Sequence, residues 1–184
     1  LMQSGRIPMA PTVVDSPLAI RATEVFLEHA ASLEDGRSVR RALRSPLLQF
    51  TETGEQSRRI AEMEGFHIVI AGSGMCDAGR IRHHLKRWLW APEATVLLTG
   101  FQAEGTLGRL LLDGKEEVRI QGETIRVRAK IREIRDYSGH ADAPELAAWL
   151  KARGPIAGSI FLVHGEPRSS RPRRARRSGG PRRR

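Results

Sequence analysis

His67-Ile68-Val69-Ile70-Ala71-Gly72-Ser73-Gly74-Met75, followed by the helical spacing of Ile81, Leu85, Trp88 and Leu89, decides the fold class. A short apolar run closed by glycines reads as a buried strand. Strand, glycine turn and helix in that order form the basic unit of a parallel α/β sheet. Outward from it, residues 95–99 read as another buried strand, and the spacing predicts a βαβ crossover between the two. Upstream, residues 9–14 form a short apolar stretch ended by Asp15-Ser16-Pro17, which supplies a helix N-cap and a proline near the first helical position. Residues 18–31 then place Leu18, Ala19, Ala22, Val25, Phe26 and Ala30 at a helical period, predicting one buried stripe. Residues 32–51 are polar and broken and read as a loop with partial helix, and residues 54–63 as a second helix.

Downstream the texture changes. Val118, Ile120, Ile125, Val127, Ala129 and Ile131 alternate with charged residues around Gln121-Gly122, which predicts antiparallel strands with one wet face. Residues 143–153 read as a short helix, and Ser159-Ile160-Phe161-Leu162-Val163 as a last buried strand ending at His164. The change near Gly114 predicts a domain boundary.

Composition bounds the partners. The 184 residues carry 31 Lys+Arg against 21 Asp+Glu, a formal charge of +10. Nine of the basic residues are Arg within 168–184, which leaves 22 against 21 in residues 1–167. The body is therefore nearly neutral, and the charge that suggests a nucleic-acid partner belongs to the tail. With 40% hydrophobic and 28% charged residues the body can bury a real core. One cysteine, Cys76, excludes an internal disulfide and points to a reducing, cytoplasmic setting. No apolar run reaches the length needed to span a bilayer, and no signal peptide is visible. A start at Leu1 rather than Met, in what reads as a loop running through Gln3-Ser4-Gly5-Arg6-Ile7-Pro8, predicts a fragment.

Three constellations could carry chemistry. Gly72-Ser73-Gly74-Met75 lets the backbone approach an anion, with the amides of the next helix pointing at it; the alternative is a merely structural turn. A dinucleotide fingerprint is not met, because Asp77 stands where its third glycine belongs. Tyr137-Ser138-Gly139-His140-Ala141-Asp142 offers a His able to act as acid or base near neutral pH; the plainer reading is a turn in which Asp142 caps the helix from Ala143. Val163-His164-Gly165-Glu166 delivers a His at a strand's carboxyl end, where functional groups collect in α/β folds. Two histidines are too few for a catalytic zinc site by themselves. His83 and His84, beside Arg80, Arg82, Lys86 and Arg87, fit a solvated basic face, with phosphate contact as the other reading. His29 and His67 read as packed or hydrogen-bonded, and Trp88, Trp90 and Trp149 as core.

Taken in order, five stretches resemble the C-terminal portion of a metallo-β-lactamase-fold nuclease of the β-CASP group. They are Gly5-Arg6-Ile7-Pro8 with Val14-Asp15-Ser16-Pro17-Leu18-Ala19, Ile70-Ala71-Gly72-Ser73-Gly74-Met75, Gly100-Phe101-Gln102-Ala103-Glu104-Gly105-Thr106-Leu107-Gly108-Arg109, Tyr137-Ser138-Gly139-His140-Ala141-Asp142, and Phe161-Leu162-Val163-His164-Gly165-Glu166. The third points to the branch holding bacterial and archaeal endoribonucleases and the 3′-end cleavage factor nuclease. The resemblance implies an α/β chain: a parallel-sheet β-CASP domain over 1–114, then a returning C-terminal portion of the metallo-β-lactamase αββα fold with its RNA-specificity segment over 115–167, and an Arg-rich tail over 168–184.

It further implies a zinc-dependent ribonuclease, an endonuclease in its closest branch, acting on RNA with two zinc ions; a homodimer is compatible with it. His140 matches the His proposed to protonate the leaving group, and His164 the His that completes the zinc site. Ser138 and the Ser73-Gly74-Met75 loop match positions that hold RNA phosphates. The family's His-x-His-x-Asp-His zinc motif does not occur in these residues, so the chain alone is expected to be inactive. The competing expectation is a non-catalytic nucleic-acid-binding homologue; a third, a nucleotide-binding module, uses the glycine loop alone. The tail's sudden Arg, Pro, Gly and Ala content favours an out-of-frame translation over a basic arm for RNA or a solvated end.

Overall fold

A computed structural model describes residues 2, 4–134, 140–155 and 158–161, which divide into two compact units, 1–138 and 139–184. The first unit opens with β1 (Thr12–Asp15), all four residues buried: Thr12, Val13 and Val14 are β-branched, as suits a strand in the middle of a sheet, and Asp15 is enclosed at its end. Ser16 then caps α1 (Pro17–Glu28), its hydroxyl accepting from the Ala19 amide at 3.4 Å with Pro17 in the first turn. After α2 (Gly36–Leu43) comes β2 (Leu48–Phe50), which pairs parallel with β1 through Thr12↔Leu48. This strand falls in the stretch expected to be loop and helix; three residues at a sheet edge are too few to show alternation.

Thr53 and Gln56 form a reciprocal capping box that starts α3 (Gly54–Arg59), and β3 (Ile68–Ala71) completes the parallel order β2-β1-β3. The glycine loop leads to α4 (Ile81–Trp88) and β4 (Thr95–Leu98). The expected β3-to-β4 crossover within one sheet is not formed. Among the described residues β4 pairs instead with β7 (Lys130–Glu133), in parallel, through Thr95↔Lys130 to Leu98↔Glu133. Between them lie α5 (Leu107–Leu112) and the hairpin of β5 (Glu117–Ile120) and β6 (Glu123–Arg126). That hairpin is antiparallel as expected, whereas Ile131, expected in the same antiparallel set, pairs parallel with Val96; the two turn residues of the hairpin, Gln121 and Gly122, both have positive φ, 51° and 88°. Two positive φ values in a two-residue loop match the twist of the flanking strands.

One core underlies the loop: Cys76, Leu85, Leu89, Leu98, Leu107, Leu111, Val118, Ile120 and Ala129. It draws side chains from both sides of Gly114, so the change of texture there is not a break in packing. The α1 stripe is not buried as expected. Ile20 alone is buried in that helix, whereas Leu18, Val25 and Phe26 are exposed, because periodicity shows that a stripe exists without showing what it faces.

In the second unit Asp142 caps α6 (Ala143–Lys151): its carboxylate accepts from the Glu145 amide at 2.8 Å, and the Glu145 carboxylate accepts from the Asp142 amide at 2.8 Å. The plainer reading of Asp142 is thus realised. Of the last expected strand, 159–161 carry no strand structure, and Leu162 and Val163 lie outside the described residues. Trp90 and Trp149, expected in the core, are both more than half exposed. Trp90 follows the last turn of α4, and Trp149 lies under the Arg153 guanidinium at 3.8 Å on the open side of α6.

Candidate functional site

Residues 72–80 form an extended loop between β3 and α4 rather than a tight strand-to-helix turn. Ser73 organises it: its amide donates to Ala78 O at 3.1 Å, its hydroxyl accepts from the Ala78 amide at 3.2 Å, and its carbonyl accepts from the Cys76 amide at 3.0 Å. Gly74 and Met75 stand at the exposed tip. The helix amides expected to point at an anion are otherwise engaged, since Ile81 N donates to Gly72 O at 3.1 Å and Arg82 N to Gly79 O at 3.4 Å. Anion binding here would fall to the loop's own backbone and not to the start of α4.

The loop is clamped from below by the Gly100–Arg109 stretch. Gln102 Nε2 donates to Gly74 O and to Gly100 O, both at 2.9 Å, and Gly108 N donates to Met75 O at 3.0 Å. The Asp77 carboxylate accepts from the Leu107 amide at 2.8 Å. This explains why no glycine stands at 77: the position holds the first turn of α5. Gln102 is buried, with its Oε1 left without a partner against Gly108. Gly74 faces open space and lacks a positive φ. Gly74→Ala should therefore change stability by less than about 0.5 kcal/mol in chemical denaturation, so any loss of RNA affinity in that variant reports on close approach of a phosphate.

At the base of the loop sits a buried carboxylate. Asp15, fully enclosed, accepts through Oδ1 from the Thr51 hydroxyl and from Arg80 Nη1 at 2.7 Å, and through Oδ2 from the Ser57 hydroxyl at 2.7 Å and His84 Nε2 at 2.6 Å. An ionised carboxylate only accepts, so His84 carries its proton on Nε2. Arg80 also donates to Thr51 O at 2.7 Å and Glu52 O at 2.8 Å. Burial by itself would push the Asp15 carboxyl up; the bonds from Ser57, Thr51, His84 and Arg80 outweigh it and hold the group below the usual carboxylate range. One side chain thus ties the end of β1 to the β2–α3 connection and to the loop's exit at Arg80.

The histidine pair on α4 is split. His83 is exposed, whereas His84 is buried and stacks on Trp88 at 5.4 Å with the rings 9° apart, against the expected solvated face. Arg80, His84 and Trp88 recur every four residues and share one side of α4; that spacing was the available signal. His67 hydrogen-bonds Gly65 O at 2.9 Å and meets Trp88 edge-on, as expected, while His29 is exposed. Cys76 is buried beneath the loop, and burial, with Asp77 beside it, pushes its thiol up to about 11. Its reaction with an aromatic disulfide reagent at pH 8 should be at least tenfold slower in the folded chain than in denaturant.

Of the expected site residues, Ser73, Gly74 and Met75 lie together on this loop. His140 is exposed and belongs to the second unit, two residues before the capping Asp142. Ser138 and His164 lie outside the described residues.

The β-CASP domain profile matches residues 1–111, well over half of the chain. The chain belongs to the β-CASP family. A second profile, the Zn-dependent metallo-hydrolase RNA specificity domain, matches residues 124–176. Among curated proteins this β-CASP chain is 34% identical to Ribonuclease TTHA0252 of Thermus thermophilus over 169 residues, 88% of the chain and 38% of that protein. It is 29% identical to an RNase J-like protein of Methanocaldococcus jannaschii over 90% of the chain and 38% of that protein. Transcription termination factor FttA of Methanosarcina mazei is 24% identical over 91% of the chain and 28% of its own length. The chain thus spans less than two fifths of these relatives. The second profile's title implies zinc. Among the described residues no three His, Cys, Asp or Glu side chains form a metal site. The carboxylate–imidazole pair of Asp15 with His84 is enclosed and saturated by donors. The described residues do not fit a zinc centre.

Proposed function

We propose that this chain is the β-CASP and RNA-specificity portion of a zinc-dependent metallo-hydrolase that hydrolyses RNA phosphodiester bonds as an endonuclease. The observation that carries the reading is the loop at 72–80, built on Ser73, clamped by Gln102 and Gly108, and presenting Gly74 and Met75 to solvent. An exposed backbone loop held from beneath positions a polyanion without reorganising as it binds. In this reading Ser73, Gly74, Met75 and Ser138 hold RNA phosphates, His140 gives a proton to the leaving oxygen, and His164 contributes to a two-zinc site. The ribonuclease name of the Thermus relative supports the substrate.

A division into 1–114 and 115–167 is part of the same reading: Gly114 falls between the profiles matched at 1–111 and 124–176, although one core packs across it. A cytoplasmic location is part of the same reading, and no helix among the described residues is long and apolar enough to cross a membrane. A homodimer is tested by sedimentation equilibrium, and an out-of-frame origin of residues 168–184 by resequencing the 3′ end.

The chain of 184 residues, which lacks His-x-His-x-Asp-His, should bind zinc weakly and leave labelled single-stranded RNA intact while still binding it. Efficient cleavage by the purified chain would overturn the assignment of the zinc ligands to another part of the protein.

A further inference from the structure

The outer side of α4 carries a feature that the loop does not use. His83, Lys86, Arg87, Trp88, Trp90 and Glu93 line an open groove there. Trp90 leaves 56% of its surface to solvent, although an indole gains much from burial. The groove's floor is held in place: Trp88 stacks on His84, meets His67 edge-on at 5.5 Å, and His84 is fixed by the buried Asp15. Its cationic side is also arranged in advance. Arg87 Nη2 donates to Ala61 O at 2.8 Å and Lys86 pairs with Glu123. Guanidinium and ammonium groups have five and three donors, so each retains capacity for a second acceptor.

We propose that this groove is a contact for single-stranded nucleic acid, in which a base stacks on Trp90 while Lys86, Arg87 and His83 face the neighbouring phosphates. It rests on the reading of RNA as the substrate, and it adds a second point of attachment on the surface of α4. Lys86, Arg87 and His83 all offer N–H donors along the groove, and although Glu93 lines it and Glu123 engages Lys86, the spare donors of the ammonium and the guanidinium favour a polyanion. An exposed indole beside them favours one with unpaired bases over an acidic polypeptide or a duplex, whose bases are stacked on one another. The Trp88 ring, stacked on His84, and the tethered Arg87 and Lys86 beside Trp90 lose little freedom on binding.

The test is fluorescence anisotropy of a labelled twelve-residue oligouridylate with the full 184-residue chain at several salt concentrations, alongside polyglutamate of similar charge. The Arg-rich tail is present in every variant, so comparisons are between variants only. Trp90→Ala should weaken oligouridylate binding about tenfold, with Trp90→Phe within about threefold of the parent. Lys86→Ala with Arg87→Ala should make the salt dependence shallower by about one unit. Because Trp90 is exposed, its variants should melt at the parent temperature. Equal affinity of the parent and Trp90→Ala would overturn the groove while leaving the RNA reading intact. An equal loss toward polyglutamate would reassign the groove to an acidic protein. Failure of the parent chain to bind oligouridylate at all would remove both readings.

Discussion

Asp15→Ala should lower the stability of the first unit by about 3–5 kcal/mol, the range for removing one partner of a buried charge pair. The loss is not that of four separate hydrogen bonds. Without the carboxylate, His84 remains enclosed with a donor and no acceptor, and Arg80 keeps the Thr51 and Glu52 carbonyls but loses its buried counter-charge; an unsatisfied buried donor costs more than a bond contributes. Thr51 and Ser57 can turn their hydroxyls elsewhere, so most of the effect belongs to the ring and the guanidinium. The midpoint of thermal unfolding should fall by about 10 °C. The same residue fixes a pH dependence. A carboxyl held below its ordinary value stabilises the fold above its unfolded pKa, near 4, and that contribution disappears as pH falls through the folded value. The stability gap between the parent and Asp15→Asn should therefore be constant from about pH 5 to 7 and shrink below pH 4. A gap that widened on acidification would mean that the buried group is neutral in the native state.

Gly79→Ala should be nearly as costly, about 2–4 kcal/mol. Gly79 has φ near +73°, a region that costs an L side chain about 1–2 kcal/mol. A Cβ there would also stand 2.5 Å from Gly72 O, a backbone atom that cannot turn aside. Since Gly72 O accepts from the Ile81 amide, relief of the clash must shift both ends of the loop. The variant should thus lose RNA affinity together with stability, whereas Gly74→Ala leaves stability in place. Paired denaturation and binding curves for the two variants separate the loop's shape from its contact with a phosphate.

Local features were legible in the sequence where local chemistry decides them. The Ser16-Pro17 start, the Asp142 cap and the Gln121-Gly122 turn each depend on nearby backbone groups, so a few neighbouring residues suffice. Asp15 shows where that ends. Next to Ser16 and Pro17 it reads as one more capping residue, yet its partners lie 36 to 69 positions away and only the tertiary fold assembles them. His84 is hidden among basic neighbours, of which Arg80 shares its side of the helix and donates to the same carboxylate. β4 was placed beside β3 by spacing, but its flanking bonds, from Lys130 N to Ala94 O and from Ile134 N to Leu98 O, commit it to β7. Asp77 and Gln102 were missed as supports of the glycine loop because both act by reaching another segment's backbone.

In the function proposed above, this chain supplies the phosphate-holding loop and the proton donor of an RNA-cleaving β-CASP protein. The most direct measurement places the chain in the matching stretch of the Thermus thermophilus ribonuclease and follows cleavage of labelled single-stranded RNA with His140 intact and as His140→Ala. The account predicts that the folded chimera cleaves, and that His140→Ala lowers the rate by about 10²–10⁴ without weakening RNA binding, as expected for loss of a general acid. Cleavage at equal rates by the two would contradict it.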